Sequence, residues 1–221
     1  MSELENRRPI KSRGAGWARG LAATLARAGV APDVISAGSV VFAAAGATLL
    51  VVSSFLPDWR RSAALVAAGA CVQGRLICNL LDGMAAVEYA KGSSSGPIWN
   101  ELPDRIADLL LLVGAGYAAA LLSQPYAEPL GWLAGALAVL TAYVRELGRG
   151  LGQPADFSGP MAKPHRMAAL TGACAVSALE PLWHGHGQVL LIALAVIAAG
   201  AAWTVVRRVV RLAAGLAKKT K

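Results

Sequence analysis

Long apolar blocks, separated by short segments that carry most of the charge, constrain this chain more than any other feature. A helix needs about 20 apolar residues to cross a bilayer. Six blocks approach or reach that length, at residues 34–56, 62–79, 106–122, 130–143, 167–181 and 188–206. They are rich in Ala, Leu and Gly and do not alternate with polar residues, which favours helices over a sheet. With 56% hydrophobic and 15% charged residues, the 221-residue chain has too little charge for the surface of a soluble domain. The expected fold is an all-α membrane protein with six transmembrane helices.

The basic residues test that threading. If the chain crosses six times, every Lys and Arg except Arg60, Arg61 and Arg75 falls on one side or at one edge. The positive-inside rule makes that side cytoplasmic, together with both termini. The expected location is the inner cell membrane, multi-pass. The net charge of +8 then reflects attraction to anionic headgroups rather than to nucleic acid, since no aromatic–basic platform accompanies it.

Residues 1–33 read as a cytoplasmic interfacial helix, 34–206 as the six-helix transmembrane domain and 207–221 as a basic cytoplasmic tail. In the lead-in, Trp17, Leu21, Leu25 and Ala28 share an apolar face, as in a helix lying in the membrane interface. Pro32 is expected to break that helix, and Asp33 or Ser36 to cap the first span. No signal peptide is read, because no small-residue cleavage site precedes the first block. Cys71, Cys78 and Cys174 lack metal-ligand spacing and read as small buried hydrophobes. His184 and His186 fall on an outer loop with only Glu180 as a nearby acid, and read as solvated.

The chain has only 13 acidic residues, yet Asp82, Glu88, Glu101, Asp104 and Asp108 gather around the end of the second block. On a helix, Arg75, Asn79, Asp82 and Ala86 share one face, and Asn100, Asp104 and Asp108 share another. A short loop joins the two helices, so they are expected to be antiparallel neighbours with facing polar stripes. Ionisable groups at membrane depth mark functional sites. Carboxylates read as lacking basic partners suit a hard divalent cation bound through oxygen. The bland alternative is that these acids are wet helix caps, but Gly83, Ala86 and Gly96 leave room for a flat ligand beside the polar groups.

The stretch resembles the CDP-alcohol phosphotransferase family, whose signature is D-x-x-D-G-x-x-A-R-x8-G-x-x-x-D-x-x-x-D. Asp82, Gly83, Ala86, Gly96 and Asp104 stand in register without insertion, and Pro32, Ile35 and Ser36 match the family's approach to its first span. The resemblance implies an interfacial helix, six transmembrane helices and a homodimer. It also implies Mg²⁺ or Mn²⁺ held by Asn79, Asp82, Asn100 and Asp104, with Asp104 as general base. Gly83, Ala86 and Gly96 would admit the CDP moiety. Two family aspartates are replaced by Asn79 and Asn100, and the arginine by Val87. This halves the formal negative charge of the site, and each lost charge removes about 4 kcal/mol of gross attraction for a cation at moderate dielectric.

Between the fourth and fifth blocks, Arg145 and Arg149 lie four apart on one helical face, followed by Lys163, His165 and Arg166. Arg forks and a Lys point charge suit a phosphorylated acceptor, so Arg145, Arg149, Lys163 and Arg166 are candidate acceptor ligands. Glu146 is expected to point about 100° away from the arginines. The implied reaction moves a substituted phosphate from a CDP-linked lipid, CDP-diacylglycerol first, to a small alcohol, releasing CMP. A silent homologue that binds nucleotide or lipid as a scaffold, and a small transporter, are the alternatives. No nucleic-acid partner is expected.

Overall fold

The computed structural model describes residues 15–88 and 95–219, apart from the side chains of Ala86, Val87, Glu88, Asn100 and Lys219. The described residues form seven α-helices: α1 (Gly16–Arg27), α2 (Pro32–Ser53), α3 (Asp58–Glu88), α4 (Gly96–Leu121), α5 (Ala127–Gly150), α6 (Lys163–Ser177) and α7 (Gln188–Lys219). A 3-10 turn, Glu180–Trp183, links the last two. Each apolar block of the sequence falls on one of α2 to α7.

Four helices are long and apolar enough to cross a membrane: α2, α3, α5 and α7. The other two fall short for physical reasons. Helix α4 has 26 residues, but Glu101, Asp104, Arg105 and Asp108 interrupt its first half. The 15-residue α6 is roughly 22 Å long, less than the ~30 Å of a hydrocarbon core.

Local chemistry sets the helix ends. At the end of α1, Gly29 takes a left-handed φ of 78°, and Val30 N–H returns to Leu25 O. That closure needs a residue without Cβ. The helix therefore ends before Pro32, which instead opens α2, where its fixed φ fits and its missing N–H costs nothing. Ala31 holds the N-cap position with no side-chain cap. Ser36 is thus not a cap. It faces into the molecule.

The six long helices form a ring in the order α2, α3, α6, α7, α5, α4 and back to α2, with α4 also touching α7. Helices α3 and α4 approach each other far less closely than either approaches α2. This corrects the expectation that they pack directly as antiparallel neighbours: side chains, not backbones, span the space between them. The core inside the ring is built mainly from Ala and Leu, including Leu111, Leu112, Leu170 and Leu194, with Met167 and Ile197 beside them.

Small residues bring some backbones into contact. A Cβ on Gly131 of α5 would lie 2.9 Å from Gly116 Cα of α4 and 2.8 Å from Leu112 O. Close crossing of this kind suits lipid, where dispersion between helices replaces a hydrophobic drive. The outer faces carry Val41, Phe42, Val66, Ile192, Val196 and Trp203 in exposed positions. A row of exposed apolar side chains is what a lipid-facing surface requires. Helix α1 buries Ala18 and Ala22 against Leu81, Met84 and Ala85, while Trp17 and Leu21 stay 54% and 41% exposed. Helix α7 continues without a break from the last apolar block to Lys219.

Candidate functional site

The polar cluster occupies the end of the ring where α3 finishes and α4 and α6 begin. Helix α3 contributes Arg75, Asn79 and Asp82 from successive turns of one face, as the sequence spacing requires. Helix α4 contributes Glu101, Asp104, Arg105 and Asp108. Pro103 lies inside α4 immediately before Asp104, where it removes one N–H of the helical ladder. The first turn of α6 supplies Lys163 and Arg166, and α2 supplies Ser36.

Two aspartates sit in an unexpected cationic setting. Arg75, fully buried, places Nη2 2.7 Å from Asp108 Oδ1, 3.3 Å from Asp104 Oδ1 and 3.1 Å from the Asp104 carbonyl. Lys163 Nζ donates to Asp104 Oδ2, Asn79 Nδ2 donates to Asp104 Oδ1, and Arg105 Nη2 lies 3.7 Å from Asp104 Oδ2. Arg166 Nη2 donates to Asp108 Oδ2 at 2.7 Å, while its Nη1 donates to Met161 O at 2.8 Å. The expectation that these carboxylates lack basic partners is therefore corrected. Burial explains the pairing, because an unpaired carboxylate at this depth is far costlier than one beside a guanidinium.

Asp82 differs. Ser36 Oγ donates to its Oδ2 at 2.5 Å, and among the described residues it makes no ion pair. It is only 6% exposed, and its Oδ1 has no hydrogen-bond partner among the described residues. Asp104 lies within electrostatic reach of it, and both belong to the volume between α3, α4 and α6. Gly83 directly follows Asp82, and Gly96 is the first residue of α4. The side chains of Ala86 and Asn100, assigned from sequence to the CDP moiety and the metal, lie outside the described residues.

The implied divalent cation can be tested on these contacts. An anionic, buried oxygen with no donor, Asp82 Oδ1, fits a cation ligand. The oxygens of Asp104 do not fit a second ion, because Lys163, Arg75 and Asn79 already engage both. No three His, Cys, Asp or Glu residues form a metal-binding group among the described residues. The donor set suits one ion centred on Asp82, with the Asn79 amide oxygen and, on rearrangement, Asp104 available to it.

The arginines of α5 are also paired. Arg145 donates to Glu101 and to Glu146, the latter at 2.8 Å, and stacks 5.2 Å from the Phe157 ring centre. Arg149 Nη1 donates to Glu146 Oε2 at 2.8 Å. Glu146 thus bridges both arginines rather than pointing away. Its three-carbon side chain outreaches the angular offset of its Cα. Beside Arg145 lies a cavity of about 270 Å³, lined also by Gln153, Asp156, Arg208 and Arg211. Gln153 Nε2 is buried there without a partner. Asp156 sits on the loop before α6: partial burial pushes its carboxyl up, but hydrogen bonds from Ser158 and the charges of Arg208 and Arg211 outweigh that and hold it below the usual carboxylate value.

Sequence reasoning took Ser36 for a helix cap rather than the partner of Asp82, and missed Asp108's partners and the Arg208–Arg211 wall. Arg75 and Asp108 carried a usable signal. An arginine inside an apolar span needs a buried counter-charge, and Asp108 lies on the same face as Asp104.

An all-helical bundle with membrane-length helices and a polar site at one end defines the class of fold. Among solved structures, the chain is similar to Mycobacterium tuberculosis phosphatidylinositol phosphate synthase, a member of the CDP-alcohol phosphotransferase family. The synthase with manganese and citrate aligns with TM-score 0.73 and 21% identity, covering 88% of each chain. The same synthase with CDP-DAG bound gives TM-score 0.73 and 21% identity over 88% of this chain and 92% of that one. Its apo form aligns with TM-score 0.63 and 22% identity, over 86% and 93%. The chain has the fold of that synthase. No protein-family model matches the sequence, and no curated protein does.

Proposed function

We propose that the chain is a divergent CDP-alcohol phosphotransferase, threaded six times through the membrane with both termini cytoplasmic. It would move a substituted phosphate from CDP-diacylglycerol to a hydroxyl acceptor and release CMP. The observation that carries this reading is the convergence of Asn79, Asp82 and Asp104 on one buried volume, at the motif positions, in a fold shared with a synthase solved with CDP-DAG bound.

Asp82 would hold Mg²⁺ or Mn²⁺ through its unpartnered oxygen, with Ser36 fixing the other oxygen so that the carboxylate keeps one orientation. The cation, when bound, neutralises charge on the donor diphosphate and the departing CMP. Gly83, Ala86 and Gly96 would let the nucleotide approach the backbone. An apolar groove of about 400 Å³ between α2, α4 and α5, lined by Val52, Leu110, Val113 and Trp132, is suited to an acyl chain. Asp104 would accept the acceptor hydroxyl's proton. Its cationic neighbours weaken it as a base, so much of its effect comes from aligning the hydroxyl.

The polar cavity beside Arg145 and Arg211 suits an acceptor that carries phosphate. Arg149, Lys163 and Arg166 are the other candidate acceptor ligands, the last two paired with Asp104 and Asp108. Glycerol phosphate and inositol phosphate come first, then serine. The functional unit would be a homodimer.

The test is CMP release by the purified chain in detergent, given CDP-diacylglycerol, Mn²⁺ and a panel of alcohols. Release with at least one acceptor is expected, falling about 10²–10⁴-fold in Asp104→Asn. The cation contacts on Asp104 favour one competitor, a scaffold without catalysis. No CMP from any acceptor, and no rescue by Asn79→Asp with Asn100→Asp, would establish that reading instead.

A further inference from the structure

Two acids face the same volume but are treated differently. Asp104 carries an ammonium from its own chain, since Lys163 Nζ donates to Oδ2, while Arg75 and Asn79 occupy Oδ1. Asp82 makes no ion pair among the described residues, although Lys163 lies within its electrostatic reach, and one of its two oxygens is buried without a hydrogen-bond partner among them. The two positions where an amide replaces an acid, 79 and 100, belong to the same stretch.

We infer that Lys163 is a tethered cation that takes one of two cation positions, so that the site binds a single divalent ion, at Asp82. This rests on the reading given under Proposed function but concerns the ion count alone. Lys163 is well placed for such a role. It is the first residue of α6, its neighbour Pro164 fixes the backbone there, and its side chain is only 21% exposed. A divalent ion approaching Asp104 would meet the Lys163 ammonium and the Arg75 guanidinium within ion-pair distance of the carboxylate. In a medium of low dielectric that repulsion is only weakly screened. An ion approaching Asp82 meets an oxygen with no hydrogen-bond donor among the described residues.

The two Asp→Asn replacements become intelligible on this basis. A two-ion site needs more negative charge than Asp82 and Asp104 supply. A site with one ion and one internal ammonium does not. Asn79 uses its amide as a donor to Asp104, a role that an aspartate could not fill while ionised.

The experiment counts ions independently of turnover. The full chain in detergent micelles is titrated with Mn²⁺, following free Mn²⁺ by electron paramagnetic resonance and heat by calorimetry. One Mn²⁺ per chain is expected. Asp82→Asn should lose it, Lys163→Met should gain a second and weaker one, and Lys163→Arg should stay at one. Two ions in the unmodified chain, none, or one ion that survives Asp82→Asn would overturn the inference. So would a Lys163→Met protein that elutes as a folded species and still binds only one. If Lys163→Met does not fold, the count in the unmodified chain and in Asp82→Asn decides. CMP release is measured on the same preparations: one ion without CMP upholds the ion count and sinks the enzymatic reading, whereas CMP with two ions does the reverse.

Discussion

Two buried carboxylates at opposite ends of the bundle have opposite fates. Glu180, on the 3-10 turn, is fully buried and both its oxygens are taken. Arg61 Nη2 lies 2.5 Å from Oε2, Gly187 N–H donates to Oε2 at 2.8 Å, and Val189 N–H donates to Oε1 at 3.0 Å. The acid also faces the first turn of α7, where the helix dipole favours negative charge. Asp82, at the other end, has one oxygen satisfied and one bare. A closed set of contacts holds elements together. An open one is available to something else. Glu180, the acid closest in sequence to His184 and His186, is committed to Arg61 and the α7 backbone.

The contrast is broken most sharply by changing the open carboxylate. Asp82→Asn should lower CMP release by about 10³-fold, the loss typical of removing one preorganised electrostatic contact. Its melting temperature should stay the same or rise, because a buried charge without a counter-ion is removed. A large fall in stability would show that Asp82 is structural, as Glu180 is.

Glu180→Gln should do the opposite. Removing one partner of a buried pair costs about 3–5 kcal/mol, read as a drop in melting temperature in detergent. CMP release per folded molecule should be retained. A smaller effect is expected from Gly131→Leu, where the added side chain meets Gly116 Cα and Leu112 O. Overpacking of this kind costs about 1–3 kcal/mol, and here it should lower activity together with melting temperature, because α4 carries Asp104.

The smallest effect concerns pH. Asp156 titrates below the usual carboxylate value in the folded chain. Its stabilising contribution is complete above about pH 4, where it is ionised in both states, and is lost as pH falls through the lower folded value. Asp156→Asn should lower the melting temperature slightly at neutral pH, where that contribution is complete, and flatten the acid side of the profile, with no change at the lowest pH.

Much of this was legible before any coordinates. The apolar blocks gave every long helix, since length and hydropathy are local properties. Helical spacing alone put Asn79 and Asp82 on one face of α3, and Asn79 does meet Asp104 of α4. What failed was anything set by the order of helices around the ring. A short loop suggested that α3 and α4 touch. Instead α2 packs against both, and Arg75 reaches across to Asp104 and Asp108. Lys163 and Arg166, candidate acceptor ligands from sequence, also make contacts that the sequence did not foretell. Their partners lie on α4, over fifty residues away in sequence. Glu146 was misjudged by treating a flexible side chain as a fixed spoke.

The contact between Gly116 and Gly131 bears on alignment. Where two backbones touch, neither rod can slide inward, so the crossing acts as a fulcrum for α4. Asp104 stands twelve residues from it, a lever of about 18 Å, so a tilt of only about 3° carries the carboxylate roughly 1 Å. Displacements of that size can cost a hundredfold in rate. On the proposed function, two glycines buried far from Asp104 therefore set the tolerance to which the site's groups are aimed.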